Sequence, residues 1–578
     1  MAASSRLAIP PQAKPGADSF DIRPRSVEEW LRQLPVANLG ETSRRLYNAL
    51  REVNRLEAPA AKRLSFLEQI RPTHGYVLEG LRKHYLNRDF PLPEKNRRVA
   101  QLVMALTNEL AVGYQIVLEQ RGNGMRGLSR RQQGLAFHRT AKTLGALLIE
   151  GYLIYEPSPQ GVWRRLHTLF RMARAEGFDR FACRDELLAP ESEQTTVAEA
   201  YLQTLLTAAT GPFRMNQGEA ARIDKLMEQL APAAELFPSD DERARQAIFR
   251  VDPDSDHGPV PVFRGDNGAE PSQLALMTDR VLDALEHGRS PRVRGLLRRG
   301  APLEAEPALQ ERVTLALGDA PRRQHARLPA TSPVQVVLGL GHIHRMLVEQ
   351  LGLDLDGEKG LDPHFTSREI KAADGNGSDV WDLIYRPAPE LTPKDQINPT
   401  FTTEPRPKAQ STNGEWRLVN VSAGGYCLFS DPKQTARAHV GELVALREVN
   451  AREMPWQTAV IRWMKHTPKS GMHLGVQVIA PRPKPVVVQR RGENAARHPD
   501  RGLLLPEIRP TGQPATLVTP PLHYSVEQEA QITTRGTAQE VVLIRELDHT
   551  RSFSQFVFRT TGHPGEGDDR FESVFASI

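Results

Sequence analysis

At 578 residues the chain is too long for one ordinary core, so roughly two to four domains are expected. Its 39% hydrophobic and 25% charged residues, with 45 Pro and 42 Gly, predict a water-soluble protein with linkers. A net charge of only +5 argues against general coating of nucleic acid and for an anion held at one local site. Two distant cysteines, Cys183 and Cys427, argue against a disulfide scaffold and a zinc site. No apolar run of about 18 residues and no signal-peptide core are visible, so a cytoplasmic chain without a membrane span is expected.

Residues 1–24 read as a flexible tail. In "RPRSVEEWLRQL", Ser26 and Glu29 have capping-box spacing and predict a helix start. Helical periodicity then dominates residues 25–235. "TSRRLYNALREVNRLEAP" puts Leu46, Leu50, Val53 and Leu56 on one face, and "RRVAQLVMALTNELAVGYQIVLEQ", "FHRTAKTLGALLIEGYLIYE" and "GVWRRLHTLFRMARAEGF" continue the pattern. Short Gly and Pro breaks predict antiparallel hairpins in an all-α bundle or irregular array, without a fixed repeat length. Residues 236–320 read as a linker, acidic and Pro-rich at first. A strand is expected near 259–263, and short helices near 272–287 and 291–299.

The texture changes after Pro321. "PVQVVLGL" (333–340) is β-rich, 341–352 reads as helical, and 353–412 carries little pattern. Strands then arrive in series: "EWRLVNV", "GGYCLFS", "GELVALREV", "WQTAVIRWMKH" and "MHLGVQVIA". Their spacing is that of a small antiparallel barrel. A basic linker at 486–500 leads to a further β-rich segment, 501–578.

Asn420-x-Ser422-x-x-Gly425 lies in the first of these strand pairs. An Asn amide offers one acceptor and two donors, and a serine hydroxyl adds one of each. Gly425 would let a ligand approach the backbone. Together they suit the polar edge of a flat base, although the same residues also make a plain β-turn. This motif at a strand end, followed by "GELVALREV", "WQTAVIRWMKH" and "HLGVQVI", resembles a PilZ domain. That family comprises small β-barrels that bind the bacterial second messenger cyclic di-GMP. The resemblance covers about 75 residues.

The family's second motif, Arg-x-x-x-Arg, is absent from its usual place, where Arg406 is followed by Gln410. Arg323-x-x-x-Arg327, with Arg322 beside it, precedes the β-rich run at 333–340 and matches the family's order. Guanidinium forks pair with phosphate and stack on purines. Other pairs at this spacing, Arg51/Arg55, Arg126/Arg130 and Arg294/Arg298, fall in helical patterns as ordinary neighbours. The resemblance therefore implies a split barrel over 321–485 with 341–412 inserted. Loop closure tolerates that, since each doubling of loop length costs only about 0.6 kcal/mol.

Three further features read as structural. Gly122-x-Gly124-x-x-Gly127 follows a helical pattern instead of a strand, so an interhelical loop is expected. His342 and His344 have no third ligand nearby and read as a partly buried pair. The basic stretch at 486–501 lacks aromatic residues for base stacking. No catalytic motif is visible, so no enzyme, cofactor or metal is expected.

The combined expectation is a multidomain α + β regulator. A helical domain would contact an unidentified protein partner, and a PilZ-like barrel would bind cyclic di-GMP. Arg322, Arg323 and Arg327 would clamp phosphate and guanine, and Asn420, Ser422 and Gly425 would read the other base edge. The resemblance implies that the arginine loop wraps the ligand and swings the helical domain. No DNA partner is expected. Two alternatives stand: a scaffold whose barrel no longer binds nucleotide, and an RNA-binding barrel.

Overall fold

The computed structural model describes residues 7, 9–86, 88, 90–120, 128–184, 194–262, 272–294, 299–318, 326–353, 415–431, 438–449, 455–467, 471–491, 499–508, 512–534 and 537–561. The expected loop at Gly122–Gly127 and the patternless stretch from 354 to 412 lie outside them. The chain divides into two compact units, one holding the helices up to Gly318 and one the strands from Leu328 on.

The first unit opens with α1 (Pro24–Arg32), α2 (Leu39–Val53), α3 (Ala60–Arg82), α4 (Glu94–Glu119), α5 (Arg130–Leu153) and α6 (Val162–Ala175). A two-residue strand pair, β1 (Ala182–Cys183) and β2 (Thr195–Thr196), precedes α7 (Val197–Ala209) and α8 (Glu219–Leu230). Leu46, Leu50 and Val53 are fully buried, as the α2 pattern requires. α4 is buried along most of its second half and forms the middle of the bundle.

Two N-terminal expectations are corrected. α1 starts at Pro24, whose missing N–H and fixed φ suit a first turn, so Ser26 is not a cap; its hydroxyl donates to Asp21 instead. The described part of the supposed tail is docked. The Leu7 amide donates to Glu119, Ala13 bridges Leu56, and the Phe20 ring packs edge-on against Trp30 and Phe66.

Residues 236–320 are not a plain linker. β3 (Glu235–Pro238), β4 (Phe249–Val251), β5 (Val260–Pro261) and β6 (Leu274–Met277) form one sheet in the order β3-β6-β4-β5. α9 (Asp279–Glu286), the hairpin of β7 (Arg289–Arg294) and β8 (Arg299–Pro302), and α10 (Pro307–Gly318) follow. The helix expected at 291–299 is thus a hairpin strand as far as it is described; Pro291 disfavours helix there. The acidic stretch is anchored to α6. Asp256 accepts from the backbone amides of Gly161 at 2.6 Å and Arg164 at 3.1 Å, Asp254 pairs with Arg171 at 2.5 Å, and the His257 carbonyl meets His167 Nε2 at 2.8 Å. A carboxylate at a helix N-terminus satisfies orphan amides and opposes the dipole, which explains the acidic composition without a linker.

The second unit contains two closed barrels. β9 (Leu328–Pro329) and β10 (Pro333–Leu338) lead into α11 (Leu340–Leu351). β11 (Glu415–Ser422), β12 (Gly425–Ser430), β13 (Leu443–Glu448), β14 (Gln457–Thr467) and β15 (Gly471–Pro481) complete the first barrel. The ring runs β10-β13-β14-β15-β12-β11 and closes from β11 back to β10, with Val334 opposite Trp416. The strand at 333–338 therefore belongs with those at 415–481, whatever lies between. Leu418, Leu428, Leu474 and Met464 form one cross-strand row and are all buried.

β16 (Lys484–Arg490), β17 (Asp500–Leu505), β18 (Thr516–Thr519), β19 (Glu529–Thr534), β20 (Thr537–His549) and β21 (Ser554–Thr560) close the second barrel, in the order β16-β17-β18-β21-β20-β19. The supposed linker 486–500 thus begins inside a strand. Val486, Val487 and Val488 are buried, and three consecutive β-branched residues outweigh the flanking charge. The second barrel fills with residues such as Val486, Leu504, Leu517 and Phe556. Between the barrels, Ile343 and Leu347 of α11 share a core with Leu443 and Val460 of the first and Leu503 and Val518 of the second.

Candidate functional site

The site forms where β11 turns into β12. A bulge between Leu418 and Asn420 shifts the register, so Asn420 faces Cys427, and Ser422 faces Gly425 across the two-residue turn. The Ser422 hydroxyl donates to the Gly425 carbonyl at 3.0 Å. Asn420, Ser422 and Gly425 are each half-buried. Gly425 is required by packing: a Cβ there would lie 2.0 Å from the Val476 carbonyl oxygen on β15.

The arginine segment arrives along the other side of β11. Leu328 pairs with Val421 and Pro329 with Asn420, the Ala330 amide donates to the Val419 carbonyl, and the Leu418 amide to that of Ser332. This register carries Arg327, exposed and directly before Leu328, to the end of β11 where Ser422 sits. Burial pushes the Cys427 thiol up, and the positive charge of Arg327 acts against that rise, which marks the guanidinium as close enough to be felt at the Asn420–Cys427 pair. The structure thus brings Arg327, Asn420, Ser422 and Gly425 together. Arg322 and Arg323 lie outside the described residues.

Residues that the motif reading leaves unassigned complete this face. Across the sheet, Asn420, Cys427, Gly475 and Trp463 are successive partners in one row. The Trp463 indole covers Gly475 so closely that a Cβ would sit 1.7 Å from Nε1. Gln477 faces Gly425 in the next row and accepts from Arg462 Nε at 2.8 Å. The signals were the "R-W" pair and the glycine of "LGV"; a bare strand pattern hides that one lies over the other.

The Arg51/Arg55 pair and the histidines take structural roles. Arg55, just past the end of α2, donates to the Arg51 carbonyl in its last turn, while Arg294 lies in strand β7 and not in the expected helix. Arg126 and Arg298 lie outside the described residues. His344 Nε2 donates to the Val486 carbonyl at 3.1 Å, and His342 Nδ1 lies 3.1 Å from the Leu338 carbonyl, so the two point to different elements. Among the described residues no cluster of three or more potential metal ligands occurs, and no helix is long and apolar enough to cross a membrane.

Three family profiles match in sequence along the chain. Residues 25–240 match the cyclic-di-GMP receptor FimW N-terminal domain, 248–485 its middle PilZ domain, and 486–561 the FimW C-terminal β-barrel domain. The cyclic-di-GMP receptor FimW of Pseudomonas aeruginosa is 29% identical over 621 aligned positions, covering 99% of this chain and 98% of that protein. No solved structure matches. A closed barrel carrying the Asn420–Gly425 turn, an arginine strand laid beside it, and these successive matches place the chain in the PilZ-domain family, in a large form with a helical N-terminal domain.

Proposed function

We propose that the chain is a non-enzymatic cyclic di-GMP effector of the bacterial cytoplasm. The observation that carries this reading is the β9–β11 register, which delivers Arg327 to the Asn420–Ser422 turn. The similarity to a cyclic di-GMP receptor over nearly the whole chain supports it. In this reading the arginines at 322, 323 and 327 hold phosphate and stack on guanine. Asn420 and Ser422 bond a base edge, and Gly425 keeps the strand close. The helical domain couples the ligand level to a protein partner.

Calorimetric titration with cyclic di-GMP tests the site. Arg323→Ala and Arg327→Ala each delete charge-assisted hydrogen bonds of roughly 1.5–3 kcal/mol, so affinity falls at least about tenfold. Arg51→Ala, on α2, is the control and leaves binding unchanged. A wild-type chain that gives no heat at high ligand concentration hands the question to the adaptor reading. Equal damage from Arg51→Ala would show the arginine site to be misplaced.

A further inference from the structure

Resting on that ligand reading, we propose that Arg462 is a further phosphate contact, and that Asp548 of the second barrel occupies it until ligand arrives. Arg462 is the extra residue of a bulge in β14, between Ile461 and Trp463. Bulges re-aim side chains, and this one gives the guanidinium two partners. Nε donates to Gln477, the residue opposite Gly425, at 2.8 Å. Nη2 donates to the Asp548 carboxylate at 2.6 Å. Asp548 directly follows a bulge of its own, in β20 between Glu546 and Asp548. Irregularities in two barrels thus meet at one ion pair, with β15 and β12 lying between the strand of Arg462 and that of Ser422.

The chemistry is competitive. A carboxylate and a phosphate diester both present oxygen pairs to a guanidinium fork, and one fork edge cannot serve both at full strength. The Arg462 side chain is 39% exposed and that of Asp548 20%, so an entering anion can reach the pair. A diester seated on the Asn420–Gly425 face draws Arg462 from Asp548 and loosens β20 at its bulge. By linkage, whatever frees Arg462 beforehand tightens the ligand.

The test is a double-mutant cycle on the full chain, titrated with cyclic di-GMP. Half-exposed ion pairs are weak, so Asp548→Asn should tighten binding about two- to fivefold. Arg462→Ala should weaken it about fivefold or more. In the Arg462→Ala background, Asp548→Asn should have no effect. Ligand should also speed hydrogen exchange at 546–549 in the wild type and not in Arg462→Ala. Wild-type binding with Asp548→Asn neutral or weaker overturns this inference alone, as does tightening that persists without Arg462. No binding by the wild type overturns the ligand reading and this inference together.

Discussion

Gly425 is fixed by its neighbours before any ligand enters. With the Val476 carbonyl 2.0 Å from a would-be Cβ, Gly425→Ala has to push β12 off β15. A destabilisation of about 2 kcal/mol is expected, seen as a fall in melting temperature. If the melt is unmoved, the close approach is not a constraint. Ser422→Ala is different in kind. It removes one neutral hydrogen bond of about 1 kcal/mol, so it should lower the melt less than Gly425→Ala does and weaken cyclic di-GMP less than Arg327→Ala does. Asn420, Ser422 and Gly425 were legible as a motif because turn chemistry is local. Trp463 over Gly475 and Arg462 on Gln477 were not, because they depend on which strands become neighbours and on a bulge that shifts them.

Elements separate by how local their causes are. The long helices and the strand series follow from period and β-branched content, and the fold class was legible from them. Misreadings cluster where composition stood in for pattern. "DPDSDHG" looks like solvated polymer, yet Asp256 caps α6 through the Gly161 and Arg164 amides. Nothing in the sequence pairs residue 256 with 161. Asp256→Ala should cost about 1 kcal/mol, a typical loss for a cap, and lower the melting temperature of the helical unit; no change would make the contact incidental. Likewise "VVVQRR" was read by its charges, although its three valines lie buried in β16.

For the whole molecule, buried histidines set the response to acid. Burial holds His74 and His344 at about 4 and drives His138 well below the ordinary value. The unfolded chain protonates these rings near 6.5, so between pH about 6.5 and 4 it binds protons that the folded chain refuses. Stability is therefore complete above about pH 7 and falls as pH drops, by about 1 kcal/mol per unit for each such ring. Asp224, pushed up to about 6 by burial, works the other way: folded, it takes its proton first and gains stability as pH falls toward 4. Three rings outweigh one carboxyl, so the urea midpoint should be lower at pH 5.5 than at 7.5. A flat profile would mean the rings titrate freely. Removing segments has a matching expectation. A fragment ending at residue 235 lacks the Asp254–His257 anchor on α6 and should melt below one ending at Gly318. Equal melting would restore the linker reading.

The first barrel also has a history in time. β10 leaves the ribosome about 77 positions before β11, its partner, and β13 emerges later still. At synthesis rates of about 5–20 residues per second, Val334, Val336 and Val337 wait on the order of 4–15 s with their ladder unpaired. α11, which follows at once and packs on the same core as Val337 through Leu340, Ile343 and Leu347, is placed to shelter that strand while the rest of the barrel is still being made.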